Sequence, residues 1–147
     1  MDQFTYAERA TDWRGNNNIA QSIFEQMAHE RHPVPRWIVV GAGTGGTSAT
    51  IGRYVRYQRH ATQPVRGRPR GLGVRGLLTA SGDATLTSRG SRIEGIGRPR
   101  VEPSFIPTLV DRLIEVPNVD SVAAMRLLSS DPRPQGRPST GTNFVAR

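Results

Sequence analysis

The chain has 147 residues, of which 35% are hydrophobic, and it carries a formal net charge of +8. This length corresponds to about one domain, and the sequence has no run of about 18 apolar residues that could span a membrane. All 20 basic residues are arginine and cysteine is absent, which excludes disulfides, thiolate nucleophiles, thiolate metal sites and any reaction that needs a lysine amine.

The N-terminal segment Met1–Gly15 does not read as a secretory signal, because no basic start is followed by an apolar run. A cytoplasmic protein is therefore predicted. Candidate metal ligands occur close together at His29 and His32, with Glu25 or Glu30. We interpret this group as a solvated helix end, so no metal site is predicted.

The first predicted element is a helix over Asn18–Glu30. Ile19, Ile23 and Met27 recur at helical spacing and form one apolar stripe. The first residue of the segment is a favourable N-cap, and Gln21 stands at the position that a capping box requires. The helix should end before Pro33, because the residue preceding a proline disfavours helical geometry.

A strand, a glycine-rich turn and a helix follow. The sequence "WIVV" (Trp37–Val40) is short and uniformly apolar, as in strands of buried parallel sheets. A second helix is predicted over Thr47–Arg59, with Ile51 and Val55 on one face. Helix, strand, turn and helix in this order predict an α/β fold with a mostly parallel sheet.

The turn "GAGTGGT" matches the pattern G-x-G-x-x-G through Gly41, Gly43 and Gly46. A dinucleotide site with an acid on the ribose is excluded, because no acidic residue occurs between Glu30 and Asp83. A variant of that site that uses arginine stays open. A P-loop is excluded because the chain contains no lysine.

The third interpretation of this turn is a cup for a single phosphate group. Backbone N–H groups of Gly43–Thr47 would converge on the phosphate at the N-terminus of the second helix. The hydroxyls of Thr44 and Thr47 would add hydrogen bonds, and glycines would leave room for the approaching oxygens. A tight turn that binds nothing is the remaining alternative.

Residue 61 begins a change of composition that divides the chain into three predicted segments, 1–60, 61–81 and 82–147. Residues 61–81 hold four arginines and no acid, without a usable hydrophobic period, and are predicted to be irregular. The stretch "RGRPRG" (Arg66–Gly71) resembles an AT-hook core, so a basic module that binds nucleic acid through the minor groove is the alternative function.

The third segment regains order. "LVDRLIEVP" (Leu109–Pro117) predicts a strand, and "NVDSVAAMRLL" (Asn118–Leu128) predicts a capped helix. The stretch "SSDPRPQGRPSTG" (Ser129–Gly141) is predicted to be a loop. The last residues, "TNFVAR", should begin an element that the chain does not complete.

Three stretches, in this order, resemble the fold-type II pyridoxal-phosphate (PLP) enzymes, the family of cysteine synthases and cystathionine β-synthases. They are "VVGAGTGGTSATIGRYV" (Val39–Val55), "SRIEGIGRPRVEPSFIP" (Ser91–Pro107) and "PSTGTN" (Pro138–Asn143). Within the family the bacterial cysteine desulfhydrase branch is the most similar. The resemblance implies part of the open, mostly parallel sheet domain of that fold.

The resemblance also implies roles for individual residues. The cofactor phosphate would be held by Gly43, Thr44, Gly45, Gly46 and Thr47, and the pocket would be lined by Gly95, Ile96 and Gly97. Ser139 would donate a hydrogen bond to the pyridine nitrogen of PLP, unless it is only a turn residue. The implied chemistry is β-elimination or β-replacement on cysteine or an O-activated serine, in an enzyme that forms homodimers.

Two departures from the family bear on activity. The family's catalytic lysine and its loop for the substrate carboxylate have no counterpart in this chain, so an internal fragment that is inactive alone is predicted. Where the family has a strand that leads into an acidic-Pro turn, this chain has Ala61–Ala80. We interpret that stretch as read in a shifted frame, with the proper frame restored close to residue 82.

Overall fold

A computed structural model of the chain describes residues 4–9, 12–14, 18–70, 91–97, 101–129 and 136–147. The helices and strands within these ranges are α1 (Ile19–Met27), β1 (Trp37–Gly41), α2 (Gly46–Tyr57), β2 (Gln63–Pro69), β3 (Arg112–Val116), α3 (Asn118–Ser129) and α4 (Pro138–Val145). Single turns of 3-10 helix occur at Ala7–Arg9 and Pro107–Leu109. None of the helices in these ranges is long and apolar enough to cross a bilayer.

Within the described ranges the strands form one open parallel sheet in the order β1-β2-β3. Val39 lies opposite Val65, and Gly67 lies opposite Ile114, so β2 is the central strand. Because all strands run in one direction, their carboxyl ends meet at a single edge, where α/β proteins bind ligands. The predicted α/β class with a mostly parallel sheet is confirmed.

The helix α1 begins after the predicted N-cap, but Ile19 of the predicted apolar stripe is 51% exposed. The Asn18 side chain accepts a hydrogen bond from the backbone N–H of Gln21 at 3.0 Å, which caps the helix. Ala20 and Phe24 face inward and are buried. The helix ends at Met27, earlier than the predicted end, and the chain then continues through turns to β1.

The hydrophobic core lies between α1, α2 and β1. Its buried members are Ala20, Phe24, Ile38, Ile51 and Val55. Phe24 also stacks on the ring of His60, with 4.0 Å between the ring centroids. Burial of each large aliphatic or aromatic side chain contributes about 1.5–3 kcal/mol, so this cluster fixes α2 against β1.

The strand β2 corrects one prediction. Irregular structure was expected from residue 61, but Gln63–Pro69 form the central strand of the sheet. Flanking strands supply backbone hydrogen-bond partners on both sides, and this pairing does not depend on which side chains the strand carries. Residues 71–90 lie outside the described residues, so the rest of the segment 61–81 stays a prediction.

The helix α4 corrects a second prediction, since a loop was expected through Gly141 and an incomplete element after it. Pro138 occupies the first turn of α4, where its missing N–H costs nothing. A Cβ atom at Gly141 would overlap the carbonyl oxygen of Ser121, so glycine lets α4 approach α3 closely. The predicted strand before Pro117 and the predicted helix after it are confirmed as β3 and α3.

Candidate functional site

The glycine turn joins the carboxyl end of β1 to the N-terminus of α2. Gly45 is the N-cap residue and has a φ of 106°, in the left-handed region. A Cβ atom at this position would lie 2.8 Å from Phe105 Cα and 2.9 Å from the Ser104 carbonyl oxygen, so only glycine fits. The first N–H groups of α2 have no acceptor within the helix and are left available to a ligand at its N-terminus.

The N-terminal segment packs against one side of this turn. A Cβ atom at Gly46 would lie 2.8 Å from the Ala7 carbonyl oxygen. Arg53, on α2, donates a hydrogen bond from Nη1 to the carbonyl oxygen of Glu8 at 2.7 Å. These contacts hold the 3-10 turn Ala7–Arg9 against the start of α2.

Ser104 contacts the backbone of the turn through its side chain. The sequence analysis did not identify this residue. Its side chain is fully buried, and its Oγ lies 2.6 Å from the Thr44 carbonyl oxygen and 2.8 Å from that of Phe4. A serine hydroxyl has one proton, so it donates to one of these oxygens at a time. The only sequence signal was its place in the motif that ends in Phe105-Ile106-Pro107.

The segment 91–97 forms the opposite wall. The backbone N–H of Gly97 donates to the Ala42 carbonyl oxygen at 2.7 Å, which ties the segment to the turn. Gly95 and Gly97 have φ values of 82° and 78°, where glycine is favoured. The side chain of Ile96 fills the space beside Gly41, because a Cβ atom there would lie 2.6 Å from Ile96 Cγ2.

The two walls enclose a cavity of about 600 Å³. Its lining includes the predicted phosphate-binding residues Gly43, Thr44, Gly45, Gly46 and Thr47 and the predicted pocket residues Gly95, Ile96 and Gly97. The structure therefore brings these two groups together, although they are about 50 residues apart in the sequence. The cavity has the size of a small-ligand site, which is about 300–1,000 Å³ in proteins.

Ser139 is not part of this lining and lies half-buried in the first turn of α4. One helical turn later, Asn143 Oδ1 lies 3.6 Å from the position that a Cβ atom of Gly41 would occupy. This oxygen is buried and accepts no hydrogen bond from the described residues. The role of Ser139 stays a prediction, and Asn143 is a polar group at the same edge that the sequence did not indicate.

A buried positive charge lies next to the turn. Arg66, on β2, is 5% exposed and donates from Nη2 to the Gly43 carbonyl oxygen at 2.6 Å. Its guanidinium carbon lies 4.2 Å from the centre of the Phe105 ring. Burial, and then the charge of Arg68, lower the pKa of Arg66 to about 10. The group therefore stays protonated at neutral pH.

The turn fits a phosphate group on three structural grounds. Glycines leave the approach open, since the nearest atom to a Cβ atom at Gly43 would be the Gly95 carbonyl oxygen at 3.7 Å. Thr44 and Thr47 line the same cavity as the start of α2, whose first N–H groups have no acceptor within the helix. The N-terminus of α2 and the Arg66 guanidinium both favour negative charge. Among the described residues, no group of three His, Asp or Glu side chains could hold a metal ion.

The structure does not support the nucleic-acid alternative. An AT-hook core must lie extended and exposed in the minor groove. Arg66 and Arg68 are 5% and 3% exposed and belong to the central strand of the sheet. Of the three arginines in "RGRPR", only Arg70 is exposed.

Comparison with known proteins identifies relatives of this chain. Residues 2–147 match the family described as PALP, pyridoxal-phosphate dependent enzyme. L-cysteine desulfhydrase Cds1 of Mycobacterium tuberculosis is 58% identical over 144 residues, which cover 98% of this chain and 39% of that protein. A putative pyridoxal-phosphate dependent protein of Caenorhabditis elegans is 28% identical over 170 residues, or 99% of this chain and 38% of that protein.

Solved structures agree on the fold. The crystal structure of O-ureido-L-serine synthase matches with a TM-score of 0.69 and 22% identity, covering 86% of this chain and 36% of that one. An O-ureido-L-serine-bound mutant of that synthase matches with a TM-score of 0.68 and 20% identity, covering 97% and 39%. The chain thus spans about two fifths of the length of the relatives that it matches.

Proposed function

Since the chain belongs to the pyridoxal-phosphate dependent enzymes, we propose that the turn Gly43–Thr47 holds the phosphate group of PLP. We further propose that the chain is part of an enzyme that eliminates or replaces the β-substituent of cysteine or an O-activated serine. This proposal rests on the cavity between the turn and residues 91–97, where Gly45 and Gly46 leave no room for a Cβ atom and the first N–H groups of α2 have no acceptor within the helix. The similarity to an L-cysteine desulfhydrase supports the choice of substrate class.

Each part of the site has a proposed role. The N–H groups of Thr44–Thr47, with the Thr44 and Thr47 hydroxyls, would take the phosphate oxygens, whereas the Gly43 N–H donates to the Gly41 carbonyl oxygen at 3.0 Å. Gly95, Ile96 and Gly97 line the pocket that would take the cofactor. Ser139 is the proposed hydrogen-bond partner of the pyridine nitrogen. When bound, PLP supplies an electron sink for carbanion chemistry at an amino acid, and a neutral hydroxyl partner weakens that sink.

The chain by itself lacks the group that would hold PLP covalently. No lysine amine is available among its 147 residues, so this chain would hold PLP without a covalent bond and would not turn over cysteine. We propose that activity requires a lysine-bearing part that this sequence does not include. We also propose that the complete enzyme is a cytoplasmic homodimer.

Absorbance and calorimetry test this function. The purified chain mixed with PLP should show only the absorbance of the free aldehyde, while calorimetry detects binding that inorganic phosphate competes away. Pyridoxal, which lacks the phosphate, should bind far more weakly. Equal affinity for PLP and pyridoxal would refute the phosphate cup, and turnover of cysteine by the chain alone would refute its inactivity.

The arginines of β2 support a proposal about the origin of this segment. Codons of the type CGN-GGN-CGN-CCN for Arg66–Pro69, read one nucleotide later, become GNG-GNC-GNC-CNC. These encode Val, Ala, Glu or Gly, then twice Val, Ala, Asp or Gly, and finally Leu, Pro, His or Arg. We propose that the ancestral frame encoded an apolar strand that ended in Asp-Pro. Sequencing the coding DNA decides the matter, since a frame that offers neither apolar residues nor Asp-Pro here excludes the proposal.

A further inference from the structure

Arg66 stands out among the buried charges because it is adjacent to a site suited to anions. Its Nη2 atom donates to the Gly43 carbonyl oxygen at 2.6 Å, and its guanidinium lies over the Phe105 ring. The backbone of Gly43 belongs to the turn that lines the cavity. The guanidinium is thus one peptide unit away from the Thr44 N–H, which belongs to the proposed phosphate cup.

The charge of Arg66 is not neutralised by the surrounding described residues. The ion pairs among them involve Arg9, Arg56 and Arg68, and none involves Arg66. Its Nε is buried and donates to no atom in the described part of the chain. The charge of Arg68 on the same strand is also unfavourable to it. A buried cation without a counter-ion destabilises a fold.

An anion in the cup is placed to remove this penalty in two ways. Its charge would attract the guanidinium across a region of low dielectric constant, where such attraction is strong. The hydrogen bond from Arg66 to the Gly43 carbonyl also polarises the peptide unit that ends in the Thr44 N–H, which strengthens that N–H as a donor. Both effects grow with the charge of the ligand.

We propose that Arg66 is the electrostatic partner of the anion bound at Gly43–Thr47 and makes the cup selective for a doubly charged phosphate monoester. The proposal rests on the proposed function, since it requires that the cup binds phosphate. It adds a specificity-determining residue on β2, outside the glycine turn. It also couples anion binding to the stability of the central strand.

The proposal predicts that one variant gains stability without ligand and loses affinity for phosphate. Arg66→Met removes a buried charge and leaves an apolar side chain of similar length, so the ligand-free protein becomes more stable. The same variant loses the partner of the anion, so affinity for methyl phosphate falls by roughly ten- to a hundredfold. A residue with only a packing role would lower stability and affinity together.

The experiment measures thermal unfolding of the full chain at neutral pH and constant ionic strength, with increasing methyl phosphate or dimethyl phosphate. The first probe is a doubly charged monoester and the second a singly charged diester. The unchanged chain should be stabilised much more by methyl phosphate than by dimethyl phosphate. Arg66→Met should reduce this difference, and Arg66→Lys, which keeps the charge, should retain most of it.

Arg68→Met is the matched control, because Arg68 is equally buried but contacts Glu115 rather than the turn. It should leave the response to methyl phosphate unchanged. The inference is overturned if Arg66→Met responds to methyl phosphate as the unchanged chain does. It is also overturned if the variant is less stable than the unchanged chain without ligand, or fails to fold. These outcomes leave the proposed phosphate cup unaffected. If the unchanged chain does not respond to methyl phosphate, the cup and the inference are overturned together.

Discussion

The strands β1 and β2 are neighbours in one parallel sheet, yet they present opposite chemistry to the helices that cover them. Val40 lies opposite Arg66 in the register, so the two side chains share the face that packs on α1 and α2. On that face β1 contributes Ile38 and Val40, whereas β2 contributes Arg66 and Arg68. The two strands therefore have the same backbone geometry, but β1 places apolar side chains on this buried face and β2 places charged ones.

The difference separates what forms a strand from what stabilises it. β2 pairs with β1 over Gln63–Gly67 and with β3 over Val65–Pro69, so its backbone has partners that its side chains do not supply. Its arginines, in contrast, leave buried nitrogen atoms without hydrogen-bond partners among the described residues. Apolar contacts around β1 thus stabilise a sheet that the side chains of β2 weaken.

The largest effect is expected from the core beside β1. Ile51 is 1% exposed and packs between α1, α2 and β1. Ile51→Ala should lower the free energy of unfolding by about 2–5 kcal/mol, because it removes buried methyl groups and leaves a cavity. Urea denaturation measures the loss, with Val119→Ala on the exposed face of α3 as control. Similar midpoints for both variants would contradict the assignment of the core.

The next effect concerns the turn at the end of β1. Gly45→Ala places a side chain at a positive φ and against Phe105, so we expect a loss of about 2–4 kcal/mol in the free energy of unfolding. Gly43→Ala is the matched control, since its Cβ atom would make only an ordinary contact. It should cost under about 1 kcal/mol. Equal costs would mean that the turn is not fixed as described.

A change of opposite sign is expected in β2. Arg68 is buried and has two nitrogen atoms without partners among the described residues, while its ion-pair partner Glu115 has a side chain that is 41% exposed. Arg68→Met should therefore raise the free energy of unfolding by about 1–2 kcal/mol. Arg70→Met, at an exposed position, should change it by less than about 0.5 kcal/mol. If Arg68→Met is less stable than the unchanged chain, the buried Arg68 side chain stabilises the fold and the prediction is wrong.

The smallest effect is expected at Ser104. Ser104→Ala removes the hydroxyl that lies between the Thr44 and Phe4 carbonyl oxygens, and should cost about 1 kcal/mol in the free energy of unfolding. Amide hydrogen exchange should become faster in the turn but not in α3. Ser129→Ala is the control, because that hydroxyl donates to the Met125 carbonyl oxygen within its own helix. Unchanged exchange in the turn would exclude a supporting role for Ser104.

The sequence predicted the β1–turn–α2 unit because local signals agreed there. An apolar strand, a glycine turn and an amphipathic helix each point to the same structure. It did not predict β2, because Arg, Gly and Pro are poor strand formers and the strand depends on partners distant in the chain. It also did not predict α4, whose Ser, Thr and Gly residues resemble a turn and whose packing depends on α3.

The same distinction applies to the site. Gly43–Thr47 and Gly95–Gly97 were predicted from motifs, and the hydrogen bond from the Gly97 N–H to the Ala42 carbonyl oxygen joins the two segments beside one cavity. Arg66 and Ser104 could not be assigned to the site, because their contacts join segments that are 23 and 60 residues apart. Residues that support a loop from a distant segment carry no local periodicity or spacing signal.

The two tryptophans lie in different parts of this structure, so the fluorescence of each one reports on a different region. Trp37 begins β1 opposite Gln63 of β2, with the guanidinium carbon of Arg112 4.8 Å from its ring centre. Trp13 instead packs edge-on against Tyr57 at the end of α2, with 5.3 Å between the ring centroids. Replacing either indole by phenylalanine leaves a single emitter, so fluorescence can follow separation of the strands and detachment of the N-terminal segment as distinct events.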